Sequence, residues 1–459
     1  MNRCQLIRAL ASCVLTLASI DAVLAQGADQ SAGFVTPLVR GDGGDGGRDR
    51  LGATTYYCDP VAGKLTNDGK SPATAWSSLE SIANADYFTS RIASGDTVLL
   101  LSGNHGYVQL QNVVYDDWVT ISGADGELAG IEGFRGYSIE RVILENVWVT
   151  PQLADQFFVD NRGLIWIGRN NSANPRSRFV QVRYCRVFSV FDASAWTPHD
   201  WATLASNGIA LFDVQNGLLE HNIVANSYTA ITLVGSSDVV RRNWIDGFAG
   251  DGMFSGGTDN VIDDNLITNV YEDDTGYHND GMQFYSAGAG NSVTVRRNVI
   301  VATTDPGRAA SIHLQGITSF DEALHDSVIE NNYVISDTTH GISFTGGGDH
   351  CRFVNNTVYG FRDGGGSPMR INGTWTDTLV RNNLVTNLFS DGSNDHNIVI
   401  KSPSDAPQYF VDPSRLAFRL RVGSPASDAG ERGLAPPTDF EGAVRPQGTD
   451  VDVGADESG

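Results

Sequence analysis

An asparagine followed by a short apolar run recurs along the chain, and this recurrence constrains the fold more than any other feature. The run reads NIV, NWI, NLI, NVI, NYV, NTV and NLV, and it begins at Asn222, Asn243, Asn265, Asn298, Asn332, Asn356 and Asn383. The intervals are 21, 22, 33, 34, 24 and 27 residues. A repeat of this length with occasional insertions is typical of a solenoid, in which each interval forms one rung.

The residues within each interval indicate strands. Short runs rich in β-branched residues alternate with Gly, Asn or Asp turns, which is the pattern of short strands. Three such strands per rung, stacked in register, would form three parallel sheets around an apolar core. Asparagines at equivalent corners can hydrogen-bond from rung to rung, so we assign them a structural role. The predicted fold class is all-β, a parallel β-helix.

The N-terminus has the features of a secretory signal. Arg3 and Arg8 precede an apolar run, and Val23-Leu24-Ala25 resembles a small-residue cleavage site. We predict a signal peptide over 1–25, a flexible linker over 26–53, and a secreted protein. Later in the chain no apolar run is long enough to span a membrane. The three remaining cysteines, Cys58, Cys185 and Cys351, have no metal-ligand spacing, so we expect buried or free thiols.

The two ends of the predicted solenoid differ from the rungs between them. SSLESIANA (77–85) has helical spacing, with Ser77 or Ser78 as a candidate N-cap. One short helix before many strands suits a cap over the open end of a solenoid. We therefore divide 54–459 into an N-terminal cap over 54–105, rungs over 106–401 and a closing segment over 402–459.

Both end segments carry a resemblance to a known group. YYCDP, NDGKSPATAWSSLESIA and SGDTVLLLSG are similar to the N-terminal segment of secreted right-handed parallel β-helix proteins of the pectate-lyase-like superfamily. FRLRVGSPASDAG and PPTDFEGAVRPQGTDVDVGADE resemble the closing segment of many bacterial members. The resemblance implies a right-handed, single-stranded β-helix that acts on carbohydrate. It does not single out one activity.

A second repeated element fixes which side chains point inward. The segments NGIALF, TAITLV, DGMFSG, DGMQFY, ASIHLQ, HGISFT and SPMRIN align on an aliphatic residue, and NIVIK enters one position later. Alternate side chains of a strand face opposite ways. We therefore expect inward-facing residues at Ile209, Ile231, Met253, Met282, Ile312, Ile342, Met369 and Ile398.

The alternation then predicts columns of outward side chains on neighbouring rungs. One column holds Gln283, His313 and Arg370, and a second holds Tyr285, Gln315, Asn372 and Lys401. A third column, just before the strand, holds Asp251, Asp280 and His340. The longest insertions flank this patch and add Glu272, Asp273, Asp274, Tyr277, His278 and Arg308. We expect an elongated groove that fits a linear glycan.

The residue types in the patch suit β-elimination from a uronic-acid polymer. That reaction needs a cation to neutralise the substrate carboxylate, a base to take the adjacent proton, and an acid for the leaving oxygen. The candidate catalytic residues are His278, Tyr285, His313, Arg370 and Lys401. His278 or His313 is a plausible base, Tyr285 an acid or base, and Lys401 an alternative base. The candidate substrate-binding residues are Asp280, Gln283, Gln315, Arg308, His340 and Asn372.

Two other functions remain open at the level of sequence. A glycoside hydrolase would use a carboxylate pair drawn from Asp251, Asp280 and Asp274. A non-catalytic carbohydrate-binding or adhesin solenoid would use aromatic platforms, with Phe254, Tyr285, Trp244 and Trp375 as candidates. Asp273 and Asp274 could bind Ca²⁺, although acidic turns are also common on acidic proteins.

The composition limits the partners. The formal net charge is -23, and Lys64, Lys70 and Lys401 are the only lysines. Nucleic acid and anionic membranes require a basic footprint, so neither is expected as a partner. The expected partner is a linear, anionic polysaccharide bound by a monomer.

Overall fold

The computed structural model describes residues 53–276, 278–285, 292–302, 314–320, 322–336, 338–360 and 367–458. The predicted signal peptide and nearly all of the predicted linker therefore lie outside the described residues, as do His313, Arg308 and Tyr277. None of the helices in these ranges is both long and apolar enough to cross a membrane.

The chain winds through three strands per turn, and every pairing between turns is parallel. The first face contains the strands Tyr107–Gln111, Gly133–Tyr137, Ile165–Gly168, Ile209–Gln215, Ile231–Ser236, Met253–Asp263, Asn279–Phe284, Leu314–Ser319, Ile342–Phe344, Met369–Ile371 and Leu388–Ser390. Met253–Asp263 continues around the corner into the second face, where it pairs with both neighbours. The prediction of a parallel β-helix is confirmed.

The β-helix begins on the second face, because the first strands of this face precede those of the other two faces in the chain. It contains Thr55–Cys58, Thr97–Leu100, Val114–Gly123, Glu140–Glu145, Arg178–Arg183, Leu218–Glu220, Val239–Arg241, Ser292–Arg296, Val328–Glu330, Arg352–Val354, Leu379–Arg381 and Ser393–Asp395. The third face contains Gly103–Asn104, Ala129–Ile131, Trp148–Val149, Arg186–Phe188, Ile223–Ser227, Trp244–Phe248, Leu266–Val270, Val299–Val301, Tyr333–Ser336, Thr357–Gly360, Leu384–Val385 and Ile398–Val399.

The remaining elements are short. Leu324–His325, Gly348–Asp349 and Trp375–Thr376 form a small parallel sheet at one corner, and Phe410–Asp412 pairs antiparallel with Ala417–Leu420. The α-helices are Leu79–Asn84, Tyr87–Ser90, Pro198–Leu204 and Ala406–Tyr409. The 3-10 helices are Pro72–Thr74, Pro151–Leu153, Pro403–Asp405 and Pro413–Arg415.

The recurring asparagines form the predicted ladder inside the turn between the second and third faces. In each rung the Oδ1 atom accepts from the backbone N–H and the Nδ2–H of the preceding ladder asparagine, at 2.9–3.1 Å from Asn222 to Asn397. Cys185 continues the ladder backwards through its backbone N–H. The residue just before each ladder position, such as Arg242 or Asn331, has positive φ.

A second polar ladder lies at the corner between the first and second faces. Gly217 N–H donates to Asp238 Oδ1 at 2.6 Å, and Asp238 N–H donates to Asn260 Oδ1 at 3.0 Å. Two rungs later Val293 N–H donates to Ser327 Oγ at 3.0 Å. Burial raises the pKa of the Asp238 carboxyl to about 7. Both corners thus satisfy buried backbone donors with side-chain oxygens.

Both ends of the solenoid are covered. The helix Leu79–Asn84 begins after Ser78, whose Oγ accepts from Ser81 N–H at 3.2 Å, and it buries Leu79 and Ile82. The Cys58, Cys185 and Cys351 thiols are free and buried, as expected. At the C-terminus, Tyr333 Oη donates to the Phe418 carbonyl at 2.9 Å, so the closing segment packs against the third face.

Candidate active site

A group of polar side chains lies on the first face and at the corner before it. We call this group the polar cluster; it consists of His278, Asp280, Gln315, His340 and Arg370. Glycines make this corner possible, because a Cβ on Gly281 would lie 2.7 Å from Ile300 Cγ2 and one on Gly316 would lie 2.4 Å from Val334 Cγ1. With the glycine turned toward the core, the residue before it points away from the core. These preceding residues are Asp251, Asp280, Gln315 and His340, and the pairing aligns Asp280 with Gln315.

Asp280 is the most tightly held of these side chains. It is 0% exposed. Its Oδ2 lies 2.7 Å from His278 Nδ1, and its Oδ1 accepts from Thr318 Oγ1 at 2.7 Å. Both oxygens of the carboxylate therefore have partners within the protein, and its role in substrate binding stays a prediction.

His278 is partly exposed to solvent. Its side chain is 45% exposed, and the hydrogen bond to Asp280 raises the pKa of the imidazole. A second imidazole, that of His340, also lies against Phe320. The Phe320 ring centroid is 6.2 Å from that of His278 and 5.0 Å from that of His340, with edge-on geometry in both cases.

The environment of His340 is the reverse of that of His278. Burial and the positive charge of Arg370 lower the pKa of His340. Its Nδ1 lies 3.2 Å from Ser343 Oγ, and Ser343 pairs directly with Arg370 on the next rung. Opposite pKa shifts in two neighbouring groups are the usual mark of an acid–base pair.

Two polar atoms in this cluster are buried without a hydrogen-bond partner among the described residues. They are Gln315 Oε1 and Arg370 Nε. Buried polar atoms are almost always satisfied, so unpaired ones beside two imidazoles suit a ligand. The Arg370 guanidinium also lies 5.0 Å from the Phe389 ring centroid.

Asp251 lies next to Asp280 on the preceding rung. Its Oδ1 is 3.3 Å from Asp280 N, and it is partly buried. Burial, and then the Asp280 carboxylate, raise the pKa of Asp251 to about 7. A carboxyl group of this pKa can hold or release a proton near neutrality.

The register differs from the predicted one at two rungs. Ile317, not Ile312, aligns with Met282, so Thr318 follows Gln283 in the outward column and Gln315 pairs with Asp280 instead of Tyr285. At the last rung Leu388, not Ile398, aligns with Met369. Ile398 pairs with Leu384 in the third face. Both predicted alignments were wrong.

The second correction removes Lys401 from the cluster. It is exposed and follows the strand Ile398–Val399 of the third face, whereas Arg370 lies on the first face. On the rung after that of Arg370, Phe389 occupies the equivalent outward position. The third-face asparagine ladder explains the error, because Asn397 belongs to that ladder and brings Ile398 with it.

The other predicted residues surround the cluster. Gln283 and Tyr285 lie on the same strand or directly after it, and Tyr285 is 52% exposed. Asn372 donates from Nδ2 to Asp391 Oδ2 at 3.3 Å, at the end of the strand Met369–Ile371. His313 and Arg308 lie outside the described residues, so their roles stay predictions. Thr318 and Phe320 are residues that the sequence analysis missed.

Asp273 and Asp274 lie in the loop that follows the strand Leu266–Val270. Asp273 accepts from Tyr228 Oη at 3.0 Å and from Thr275 Oγ1 at 2.8 Å, and Asp274 Oδ2 is 2.7 Å from His199 Nδ1. Within the described ranges, no group of three or more His, Cys, Asp or Glu side chains is arranged to hold a metal ion. The calcium role of this pair stays a prediction.

Comparison with known proteins agrees with the architecture. The family model for a right-handed β-helix region matches residues 164–358. The structure of pectate lyase Pel9A is similar, with a TM-score of 0.50, 14% identity, and coverage of 89% of this chain and 98% of that one. The chain has a right-handed parallel β-helix fold, which it shares with pectate lyase Pel9A.

Two further solved structures are similar to this chain at lower TM-scores. The mannuronan C-5 epimerase A-module of Azotobacter vinelandii has a TM-score of 0.41 and 12% identity, over 69% of this chain and 90% of that one. The surface adhesin PfbA of Streptococcus pneumoniae has a TM-score of 0.44 and 11% identity, over 72% and 84%. No curated protein matches this chain in sequence.

Proposed function

We propose that this protein is a secreted polysaccharide lyase that cleaves an acidic, uronic-acid glycan by β-elimination in a groove along the first face. The observation that carries the proposal is the pair of imidazoles, His278 and His340, that both lie against Phe320, with Arg370 close to His340. Pectate lyase Pel9A, whose structure is similar, is named for an activity of this class.

Arg370 has the position required of the group that neutralises the substrate carboxylate. A guanidinium matches the planar geometry of a carboxylate, and Arg370 Nε is buried without a partner among the described residues. Neutralising the carboxylate acidifies the proton on the carbon that bears it. The base must therefore lie close to Arg370.

His340 meets this requirement. Its pKa is lowered by burial and by Arg370, so the neutral imidazole is available near neutral pH. The Ser343 hydroxyl, 3.2 Å from Nδ1, holds the ring in place. In this proposal His340 is the base, in place of the role that the sequence analysis suggested for His278 or His313.

His278 then serves as the acid. Its hydrogen bond to Asp280 favours the imidazolium form, which can donate a proton to the leaving oxygen. His340 takes the proton from the carbon bearing the carboxylate, and the freed electron pair forms a double bond to the next carbon. The bond from that carbon to the leaving oxygen breaks, and the oxygen takes the proton from His278.

A glycoside hydrolase is the second candidate. The raised pKa of Asp251, about 7, favours it, because a hydrolase needs one protonated carboxyl group. The contacts of Asp280 argue against it, because that carboxylate is buried with both oxygens hydrogen-bonded and is a poor nucleophile or base. Asp274 pairs with His199 instead of approaching either carboxylate.

The test is a panel of uronic-acid and neutral polysaccharides incubated with the purified full chain. A lyase releases products that carry a new carbon–carbon double bond, which absorb in the ultraviolet. We expect such absorbance with at least one uronic-acid polymer. New reducing ends without the absorbance would assign the hydrolase, and retention on the polymer without new ends would assign a binding protein.

A further inference from the structure

A stripe of aromatic side chains continues from the candidate site along the outer surface of the first face. Successive rungs contribute Tyr137, Trp166, Phe212, Val234, Phe254 and Tyr285, on adjacent outward positions. Five steps of about 4.8 Å make the stripe about 24 Å long. Most side chains along it are uncharged, in contrast to the polar cluster at its end.

The rings contact one another along the stripe. Trp166 stacks near Phe212, with centroids 6.5 Å apart and planes 22° apart, and Tyr137 lies 5.1 Å from Trp166. A glycine makes room for this arrangement, because a Cβ on Gly168 would lie 2.7 Å from the Trp166 ring. Nearer the site, Phe254 and Tyr285 stack with centroids 6.1 Å apart and planes 28° apart.

These rings are accessible despite their size. Phe212 is 49% exposed and Tyr285 is 52% exposed, and Trp166 and Phe254 are partly exposed. An exposed apolar patch of several aromatic rings marks an interaction surface or a ligand groove. The stripe is continuous with the site, since Tyr285 directly follows the strand that carries Gln283 and Asp280.

The charges beside the stripe are already paired. Arg135 is buried and forms an ion pair with Asp160, and Arg169 and Arg176 both bind Asp213. Two of these three positive charges are therefore neutralised before a substrate arrives, and one remains beside Asp213. The stripe offers the faces of aromatic rings, whose partially negative π-surface suits the C–H groups on the flat side of a sugar ring.

We propose that the stripe formed by Tyr137, Trp166, Phe212, Phe254 and Tyr285 is an extended glycan-binding track, on which sugar rings distant from the cleaved bond stack by their apolar faces. This inference rests on the proposed function for the identity of the ligand, a linear uronic-acid glycan. It adds that binding along the track depends on ring stacking rather than on charge.

The track makes a specific prediction about chain length. An octasaccharide reaches from the polar cluster over several rungs, whereas a disaccharide occupies the cluster alone. Removing Trp166 and Phe212 should therefore weaken octasaccharide binding about tenfold or more, because two ring contacts with the sugar and their apolar burial are lost. Disaccharide binding should not change. High salt should weaken octasaccharide binding to the wild type and the variant by the same factor.

The experiment measures the affinity of the full chain for octasaccharides and disaccharides of galacturonate and of mannuronate, by calorimetry. It compares the wild type with Trp166→Ala/Phe212→Ala, with Phe212→Ala alone, and with Tyr184→Ala, which removes a ring from another corner. Phe212→Ala alone, at a half-exposed position, keeps the test valid if the double variant fails to fold. It should lower octasaccharide affinity severalfold.

Equal octasaccharide affinity in the wild type and in Phe212→Ala would overturn the track, as would an equal loss for disaccharides. A shift in sedimentation from dimer to monomer in the variant would assign the stripe to contacts between copies of the chain and would also overturn it. Every chain in the binding comparison, including the one with the unchanged track, also carries His340→Gln, so that the glycan is bound without being cleaved. If the wild type forms no unsaturated product but the chain-length dependence holds, the lyase proposal fails while the track survives.

Discussion

His278 Nδ1 lies 2.7 Å from Asp280 Oδ2, and the other oxygen of the same carboxylate accepts a hydrogen bond from Thr318. The Asp280 side chain is buried and the imidazole is half exposed. Asp280 therefore acts through His278: it fixes the ring and stabilises its protonated form. This relationship distinguishes a positioning carboxylate from a carboxylate that reacts.

Replacing Asp280 with asparagine tests that role. Without the carboxylate the pKa of His278 falls, so the imidazolium is lost at lower pH. We expect kcat to fall at least about tenfold and the alkaline limb of the kcat profile to move to lower pH. An alkaline limb that stays in place would contradict the role of Asp280, and Asp116→Asn, an exposed site, is the control.

Arg370 should control the acidic limb of the pH profile of kcat/KM. Its positive charge helps to lower the pKa of His340, so Arg370→Gln should raise that pKa. We expect the acidic limb of kcat/KM to move to higher pH, together with a rise in KM from the lost carboxylate contact. Arg370→Lys keeps the charge and should leave the limb unchanged while raising KM. If Arg370→Gln raises KM but leaves the acidic limb in place, the claim that Arg370 lowers the pKa of His340 is contradicted.

The sequence repeat was enough to predict the fold and the core-facing residues of most rungs. It failed where an insertion precedes the strand. The predicted alignment places Ile312 of ASIHLQ at the inward position, but Ile317 of QGITSF occupies it. The glycine directly before the aliphatic residue identifies the correct alignment. Gly316 matches Gly341 and Gly281, because each turns toward the core at the corner. His278 and Phe320 meet through loops, which no repeat encodes.

The asparagine ladder should dominate stability. Asn265 Oδ1 accepts from Asn243, and its Nδ2 donates to the Val240 carbonyl and to Asn298 Oδ1. Asn265→Ala leaves several buried groups unpaired, at about 1–3 kcal/mol for each. We expect a loss of several kcal/mol in the free energy of unfolding, measured in denaturant. Asn394→Ala, at an exposed position, should change it by less than about 0.5 kcal/mol.

Asp238 provides a pH-dependent test of the second ladder. Its folded pKa, about 7, lies above the ordinary value of 3.8, so the native state loses stability as pH rises from about 4 to 7. Asp238→Asn removes this loss while keeping the acceptor for Gly217 N–H. Since a pKa difference of one is worth about 1.4 kcal/mol, the variant should be more stable by a few kcal/mol above pH 7.

The two proteins should converge in stability near pH 4, where the wild-type carboxyl is protonated. Thermal unfolding midpoints measured across this pH range provide the comparison. A constant difference between the variant and the wild type would show that the carboxyl does not titrate in this window.

The central claim is that His340 and His278 carry out β-elimination as base and acid. The most direct measurement is the rate of unsaturated product formation from uronic-acid polymers by the wild type, His340→Gln and His278→Gln. We predict a loss of about 10²–10⁴ in kcat for each variant, with oligosaccharide affinity retained. Full activity in either variant, or cleavage that yields reducing ends without unsaturation, would contradict the account.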